Sequence, residues 1–513
     1  MTSEADAEPS LLKRSTTRRK VLAGTLAAGS VAVAYAALGD PLALLGGNGQ
    51  GGLGDQNAIR KESVKISHLL RRAGFGVSRE EHDRYQTLGL KATIDELVNF
   101  PSVDDSEAEA LADQIPTDAA ARQNLPVWWL VRMANTKRPL QEKMTFFWHG
   151  LLTSQLSEVQ DSEAIRNQNE FFRSHAFGRF PDILKGVSMD PAMMVYLNVN
   201  GSQRRAPNEN YARELMELFS LGIGNYTEQD VREAARAFTG WTMTRQYVSA
   251  PNIFTWSEPQ FRPAVFDGGQ KTFLGRSGNL RPDDIVDIIA DQQASAAYVV
   301  RRLFSFFVYP DPDDAVIVPF VEVYNRNDKS TGAVVEAMLR SDVFYSPRAY
   351  RSLVKSPVEY AVTALKALDL QKSAGEALGF NGPPNLRNGA MLTAMGQTLF
   401  EPPNVAGWPV GSAWLNSATM FARLNYLNQV TGGAPPVRGG RQQPPATASF
   451  SGNLGTTVQA LDHYLPFVLD DNVPAAARQV LTEYAGTAES QLAPEQLRGL
   501  VYLVLASPQF HLS

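Results

Sequence analysis

"RRAPNENYARELMELFSLGIGNYTEQDVREAARAFTGW" runs from Arg204 to Trp241 and decides the fold class. Tyr211, Leu215, Leu218 and Phe219 recur at helical spacing, and so do Val231, Ala234, Ala235 and Phe238. Thr227 and Asp230 have the spacing of a capping box, with Asp in place of the usual Glu. Two helices are therefore predicted, joined by a turn at Gly222 and Gly224.

Working outward, the helical period persists. "QEKMTFFWHGLL" places Met144, Phe147, Trp148 and Leu151 on one face. Alternating strand patterns are confined to "KTFLG" (271–275) and "VIVPFVEV" (316–323). Segments near 101–118, 245–285 and 433–456 read as irregular chain rich in Pro, Gly or Asp. The predicted architecture is all-α, a multi-helix body with long loops and at most minor β. It is divided into a main helical domain (64–432), a Pro/Gly-rich loop (433–456) and a C-terminal helical part (457–513) packing on the main body.

The N-terminus has a different composition. "TRRKVL" (17–22) precedes an uncharged run from Val21 to Leu38, and "AYA" (34–36) offers a small-x-small cleavage site. Residues 1–36 resemble a twin-arginine export signal. The expected location is the periplasm, the cell surface or the medium, with membrane contact only through that signal. Residues 37–63 read as a Gly-rich linker. Its Gly47-x-Gly49-x-x-Gly52 lacks the flanking strand and helix of a dinucleotide fingerprint.

Composition excludes several chemistries. The chain of 513 residues has no cysteine, which removes disulfides, thiolate metal sites and a Cys nucleophile. Its net charge of −5 argues against nucleic acid as a partner, and against a DNA-binding helix-turn-helix at 204–241. HExxH, GxSxG and GxxxxGK[ST] are absent.

The dense polar start of the first helix has two readings. Asn208 and Asn210 suit a helix N-terminus, and Glu209 favours the positive end of its dipole. Glu209, Arg213 and Glu217 also lie at i, i+4, i+8, a spacing for ion pairs. On the structural reading the cluster is a salt-bridge network, with Arg213 held between Glu209 and Glu217. On the functional reading it walls a polar cleft, with Glu209 or Glu214 as acid/base and Arg213 as anion clamp.

"HLLRRAGFG", "EKMTFFWHG", "HAFGRFPDILKGVSMDPAMMVYL", the helix pair, "KTFLG", "VKSPVEY", "EPPNVAGWPVGSAWLNSATMFAR" and "ASPQF" occur in this order from residue 68. Together they resemble the bacterial family catalogued as domain of unknown function 1800. The resemblance implies a helical, exported protein of unestablished activity. It also implies an exported sulfatase- or phosphatase-like partner, because such genes often lie beside those of the family. The family pattern W-H-N-H-F reads Trp148-His149-Gly150-Leu151-Leu152 here, and H-D reads Phe266-Asp267. Leu and Phe cannot coordinate, so a family metal site would be incomplete in this member. No cofactor or metal follows from the sequence.

Two function classes remain. An extracytoplasmic enzyme, acid/base or metal-assisted, acting on a polar or anionic substrate would bring Glu209, Arg213, Glu214, His149 and Asp267 into one cleft. Asn208, Asn210, Glu217, Lys271, Trp408 and Trp414 would bind around them. A non-catalytic binding or assembly protein would close those charges into salt bridges. For His149, a ring bonded to backbone on an apolar face is the plainer expectation. For Trp408 and Trp414 it is a staple of the stiff "PPNVAGWP" loop, against an aromatic wall for ligand.

Overall fold

The computed structural model describes residues 55–250, 253–378, 389–432, 454–486 and 491–513. The expected export signal (1–36), the linker before Asp55, and residues 433–453 of the Pro/Gly-rich loop lie outside the described residues. Helices dominate, and every sheet is a single antiparallel pair of strands. No helix among the described residues is long and apolar enough to cross a membrane.

The chain divides into two compact units. Among the described residues, one holds Gln56–Trp414 with the last two residues, and the other holds Asp55 and Leu415–His511. The helix Ser417–Val430 thus groups with the C-terminal helices, whereas the sequence pattern placed it before the dividing loop. In this smaller unit the helix Pro494–Leu505 is buried along its whole C-terminal half, from Gly499 to Leu505. That is the pattern of a central helix.

In the larger unit the helices that build the site follow one another closely. They are α1 (Leu125–Asn135), α2 (Pro139–Leu151), α3 (Leu156–Val159), α4 (Ser162–Ser174), α5 (Phe180–Ser188), α6 (Pro191–Tyr196), α7 (Asn210–Glu214) and α8 (Glu228–Ala237). The apolar faces expected on α2 and α8 are buried: Met144, Phe147, Trp148 and Leu151 on one, Val231, Ala234, Ala235 and Phe238 on the other. They join one core cluster with the helices Pro282–Ala290 and Gln293–Phe307. At roughly 1.5–3 kcal/mol for each fully buried large apolar side chain, such faces are the main source of the fold's stability.

The helix begun by α7 does not stay α-helical. From Leu215 to Ser220 it is a π-helix. Leu221 N–H donates to Met216 O at 2.9 Å, the i→i−5 pattern. The Ser220 hydroxyl donates to Leu215 O, and the Tyr298 hydroxyl donates to Leu218 O, so the widened turn is tied from inside and outside. The capping box of α8 forms as expected, with Asp230 N–H to Thr227 Oγ1 at 3.2 Å and Thr227 N–H to Asp230 Oδ2 at 2.9 Å.

Two strand expectations part ways. "KTF" is a strand, β5 (Lys271–Phe273), paired with β6 (Arg276–Gly278). "VIVPFVEV" instead lies inside the helix Asp314–Arg326. Ile317, Phe320 and Tyr324 are buried there at i, i+3, i+7, so tertiary burial outweighs the β-branched run. The segment read as irregular after 245 contains β2 (Arg245–Ala250) and β3 (Ile253–Trp256). Around them β1 (Trp241–Thr242) pairs with β4 (Gln260–Phe261).

Candidate functional site

Arg213 is the first test of the predicted cleft. Its guanidinium donates to Glu228 of α8 at 2.7 and 2.9 Å, and to Glu209 one turn back at 3.3 Å. Glu217 is not its partner. The row Glu209–Arg213–Glu217 assumed an unbroken α-helix, and the π segment rotates Glu217 out of line. Glu217 instead accepts the Tyr226 hydroxyl at 2.6 Å. The Arg213–Glu228 pair is surface-exposed, at 34% and 63%. Its arginine is occupied and solvated, not a clamp waiting for an anion. Asn208 serves the helix start: its Oδ1 accepts from Asn210 N–H at 2.9 Å, and its own N–H donates to Ser202 Oγ.

Asp267 and Lys271 sit in a different cluster. Arg236 of α8 grips Asp267 through two bonds, at 2.7 and 3.1 Å, and reaches Glu233 at 2.7 Å. The Arg236 guanidinium holds the Asp267 carboxyl below its usual range. The Lys271 ammonium donates to the carbonyls of Asp267 and Gly269 and lies 5.1 Å over the Phe266 ring. Burial lowers its pKa. These groups lock the loop before β5.

His149 occupies a third environment. Its ring centroid lies 5.0 Å from Trp129, 4.9 Å from Phe400 and 5.1 Å from Trp408. Burial alone depresses its pKa to about 3, so the ring is neutral. Nε2 accepts the Phe400 N–H at 3.4 Å, which assigns the proton to Nδ1. This is the backbone-bonded histidine of the plainer expectation. Trp408 is half-buried against the His149 ring, and Trp414 is buried. The loop requires Gly407: its φ is +83°, and a Cβ there would run into the Gly150 carbonyl oxygen. Leu151 is in the core, and Phe266 packs on Phe261.

The five predicted catalytic residues are therefore split among separate sets of partners. Glu214 stands apart from the other four. It has no hydrogen bond or ion pair among the described residues, and it is half-buried at the junction of α7 and the π segment. Burial first, and then neighbouring Glu217, raise its pKa above the usual carboxylate range. Tyr196, at the end of α6, has its own pKa raised by burial and by the charges of Glu158, Glu214 and Glu401. Phe400 connects this group to the histidine. Its N–H bonds His149, its carbonyl accepts Leu156 N–H at 2.8 Å, and the next residue, Glu401, accepts the Ser157 hydroxyl at 2.8 Å.

Sequence reasoning missed Tyr196, Glu158 and Glu401. Tyr196 and Glu401 lay inside motif blocks, but the approach of Glu158, Glu214 and Glu401 to Tyr196 is a tertiary event. It also missed Asp190, a half-buried carboxyl at the start of α6. Asp190 caps α6 through Met193 N–H and accepts Gln168 Nε2 at 2.7 Å. With no cation beside it, burial pushes its pKa up to about 7. No three His, Asp or Glu side chains among the described residues converge in a way that could hold a metal.

A family model described as "Protein of unknown function (DUF1800)" matches residues 68–512. No match was found among curated proteins or solved structures. The chain belongs to that family.

Proposed function

We propose that this family member works outside the cytoplasm as an acid/base enzyme, with Glu214 as the group that moves the proton. One observation carries the reading: of the predicted carboxylates, Glu214 alone is unpaired, half-buried and raised in pKa. A general acid needs that combination, because it must keep its proton toward neutral pH and remain free to deliver it. Tyr196 is the second proton-bearing group beside it, and the charges of Glu158 and Glu401 act on that tyrosine as well. With Arg213 closed by Glu209 and Glu228, this acidic setting favours a neutral polyhydroxylated or a cationic substrate over an anionic one.

The test is complementation of a strain lacking the gene. Glu214→Gln removes the titrating proton and keeps the shape. It should abolish complementation while leaving the thermal midpoint unchanged, whereas Glu209→Gln should complement. Full complementation by Glu214→Gln would end the acid/base reading.

A second reading has its own support. The closure of Arg213 and Asp267 into salt bridges is the expected state of a non-catalytic assembly protein. Such a protein would act beside an exported sulfatase- or phosphatase-like partner. On that reading Glu214→Gln is silent, and substitutions at exposed apolar residues such as Ile223 or Val410 remove function.

A further inference from the structure

The chain is acidic, yet one region is strongly basic. Residues 201–206 and 239–281 together hold seven Lys or Arg against two acidic residues, in a chain whose total is −5. Backbone bonds stitch these segments together. Gly201 N–H bonds Trp241 O, Gly240 N–H bonds Ser202 O, Arg204 N–H bonds Val265 O, and Arg262 N–H bonds Gly240 O. The pairs β1–β4 and β2–β3 are joined across Thr244 and Ser257, where Ser257 N–H bonds Thr244 O at 3.0 Å. They form one two-stranded arm.

Arg204, Arg205, Arg245, Arg262 and Arg281 are all exposed, and none has a carboxylate partner among the described residues. Two of them are pre-positioned by rings. Arg281 lies over Phe261 and Phe266, and Arg245 lies over Phe254 and Trp256. Further along the arm, Tyr247 and Val248 are 64% and 60% exposed, an apolar pair presented to solvent.

We propose that this arm, with the 203–206 turn at its base, docks the protein on an anionic lipid surface, independently of the N-terminal segment. The basic residues supply charge complementarity to phosphate headgroups. The exposed tyrosine and valine supply an interfacial anchor that a soluble polyanion would not use. The remainder of the chain carries the acidic surplus, which the same surface repels.

The experiment is co-sedimentation of the full chain with mixed phosphatidylglycerol–phosphatidylcholine vesicles and with phosphatidylcholine alone. Every protein carries the same N-terminus, so differences report on the arm. The triple variant Arg204→Ser, Arg205→Ser, Arg262→Ser should bind the anionic vesicles about a hundredfold more weakly, at roughly fivefold per arginine. Its thermal midpoint should not move, because all three side chains are exposed. Replacing Tyr247 and Val248 by Ser should also weaken binding while leaving its salt dependence intact. Triple-variant binding equal to that of the wild type would overturn the proposal. So would vesicle binding indifferent to Tyr247 and Val248, which would mark a surface for a soluble polyanion instead.

Discussion

Two charge clusters of similar composition occupy opposite environments. On α7 and α8, Glu209, Arg213 and Glu228 form a chain of ion pairs in solvent. Between α1, α2 and α4, Glu142 is clasped by Arg173 through two bonds, at 2.9 and 2.7 Å, with side-chain exposures of 2% and 4%. Arg132 lies 3.6 Å away, and the Trp129 indole donates to the same carboxylate. The outer cluster was conspicuous in the sequence and holds little energy, because water competes for every partner. The inner one passed unremarked, and removing Glu142 or Arg173 unbalances charge in the core. What separates them is the solvent, not the residue types.

The comparison breaks most visibly at Glu142. Glu142→Gln leaves buried Arg173 and Arg132 with only the more exposed Glu170 and Glu109 as counter-charges, and should cost about 3–5 kcal/mol in denaturant unfolding. A loss below about 1 kcal/mol would show that the inner cluster behaves like the outer one. The pH dependence follows the same logic. Burial pushes the Glu142 pKa up, but Arg173, Arg132 and the indole more than offset it, leaving the folded value below the ordinary one. Its stabilisation is therefore present above the unfolded-state value and is lost as pH falls through the folded value.

A midpoint sharpens the gradient. Arg236 and Asp267 are 26% and 18% exposed. Arg236→Ala should cost about 1.5–3 kcal/mol, the range for charged hydrogen bonds, and should free the loop before β5 to proteolysis. An unchanged cleavage pattern would place this pair with the solvated cluster.

Asp190 is the control for burial without a cation. Its folded pKa of about 7 lies above the unfolded value. Stability from this group is complete below the unfolded value and is lost as pH rises through the folded one. Asp190→Asn preserves an N-cap residue and should stabilise the protein modestly at pH 8, with no gain at pH 4. Equal effects at both pH values would remove the titration argument.

The smallest effect is at Arg213. Arg213→Ala should cost about 0–1 kcal/mol, and even that should fade in molar salt. A loss as large as that of Glu142→Gln would mean that the outer pair is not solvated in solution.

Helical faces were legible because burial has the period of the helix, as Met144 to Leu151 and Val231 to Phe238 show. The Thr227–Asp230 cap was legible because its partners are three residues apart. What failed was anything requiring a partner from another element. The Arg213–Glu228 bond spans two helices, and the Glu142–Arg173 clasp spans α2 and α4. The arm between Trp241 and Phe261 was read as irregular because "RQYVSAPNIFTW" does not alternate. Its register shifts between Tyr247 and Ala250, which spoils the period of two. Of the candidate site, Glu214 was named from the sequence. Tyr196, Glu158 and Glu401 were not, since the three carboxylates come near Tyr196 only in three dimensions.

The π segment at Leu215–Ser220 makes this helix a record of a slip in phase. A π turn carries one more residue than the α turn it replaces, so everything after it is offset like a thread that has skipped a tooth. Deleting one residue from 218 to 220 would restore the α period that sets Glu217 in line with Arg213, and swing the far end of the helix around the core. The long surface row of charges foreseen from sequence and the Glu217–Tyr226 bond seen in the fold are then two settings of one screw. The chain keeps the second setting by spending a residue.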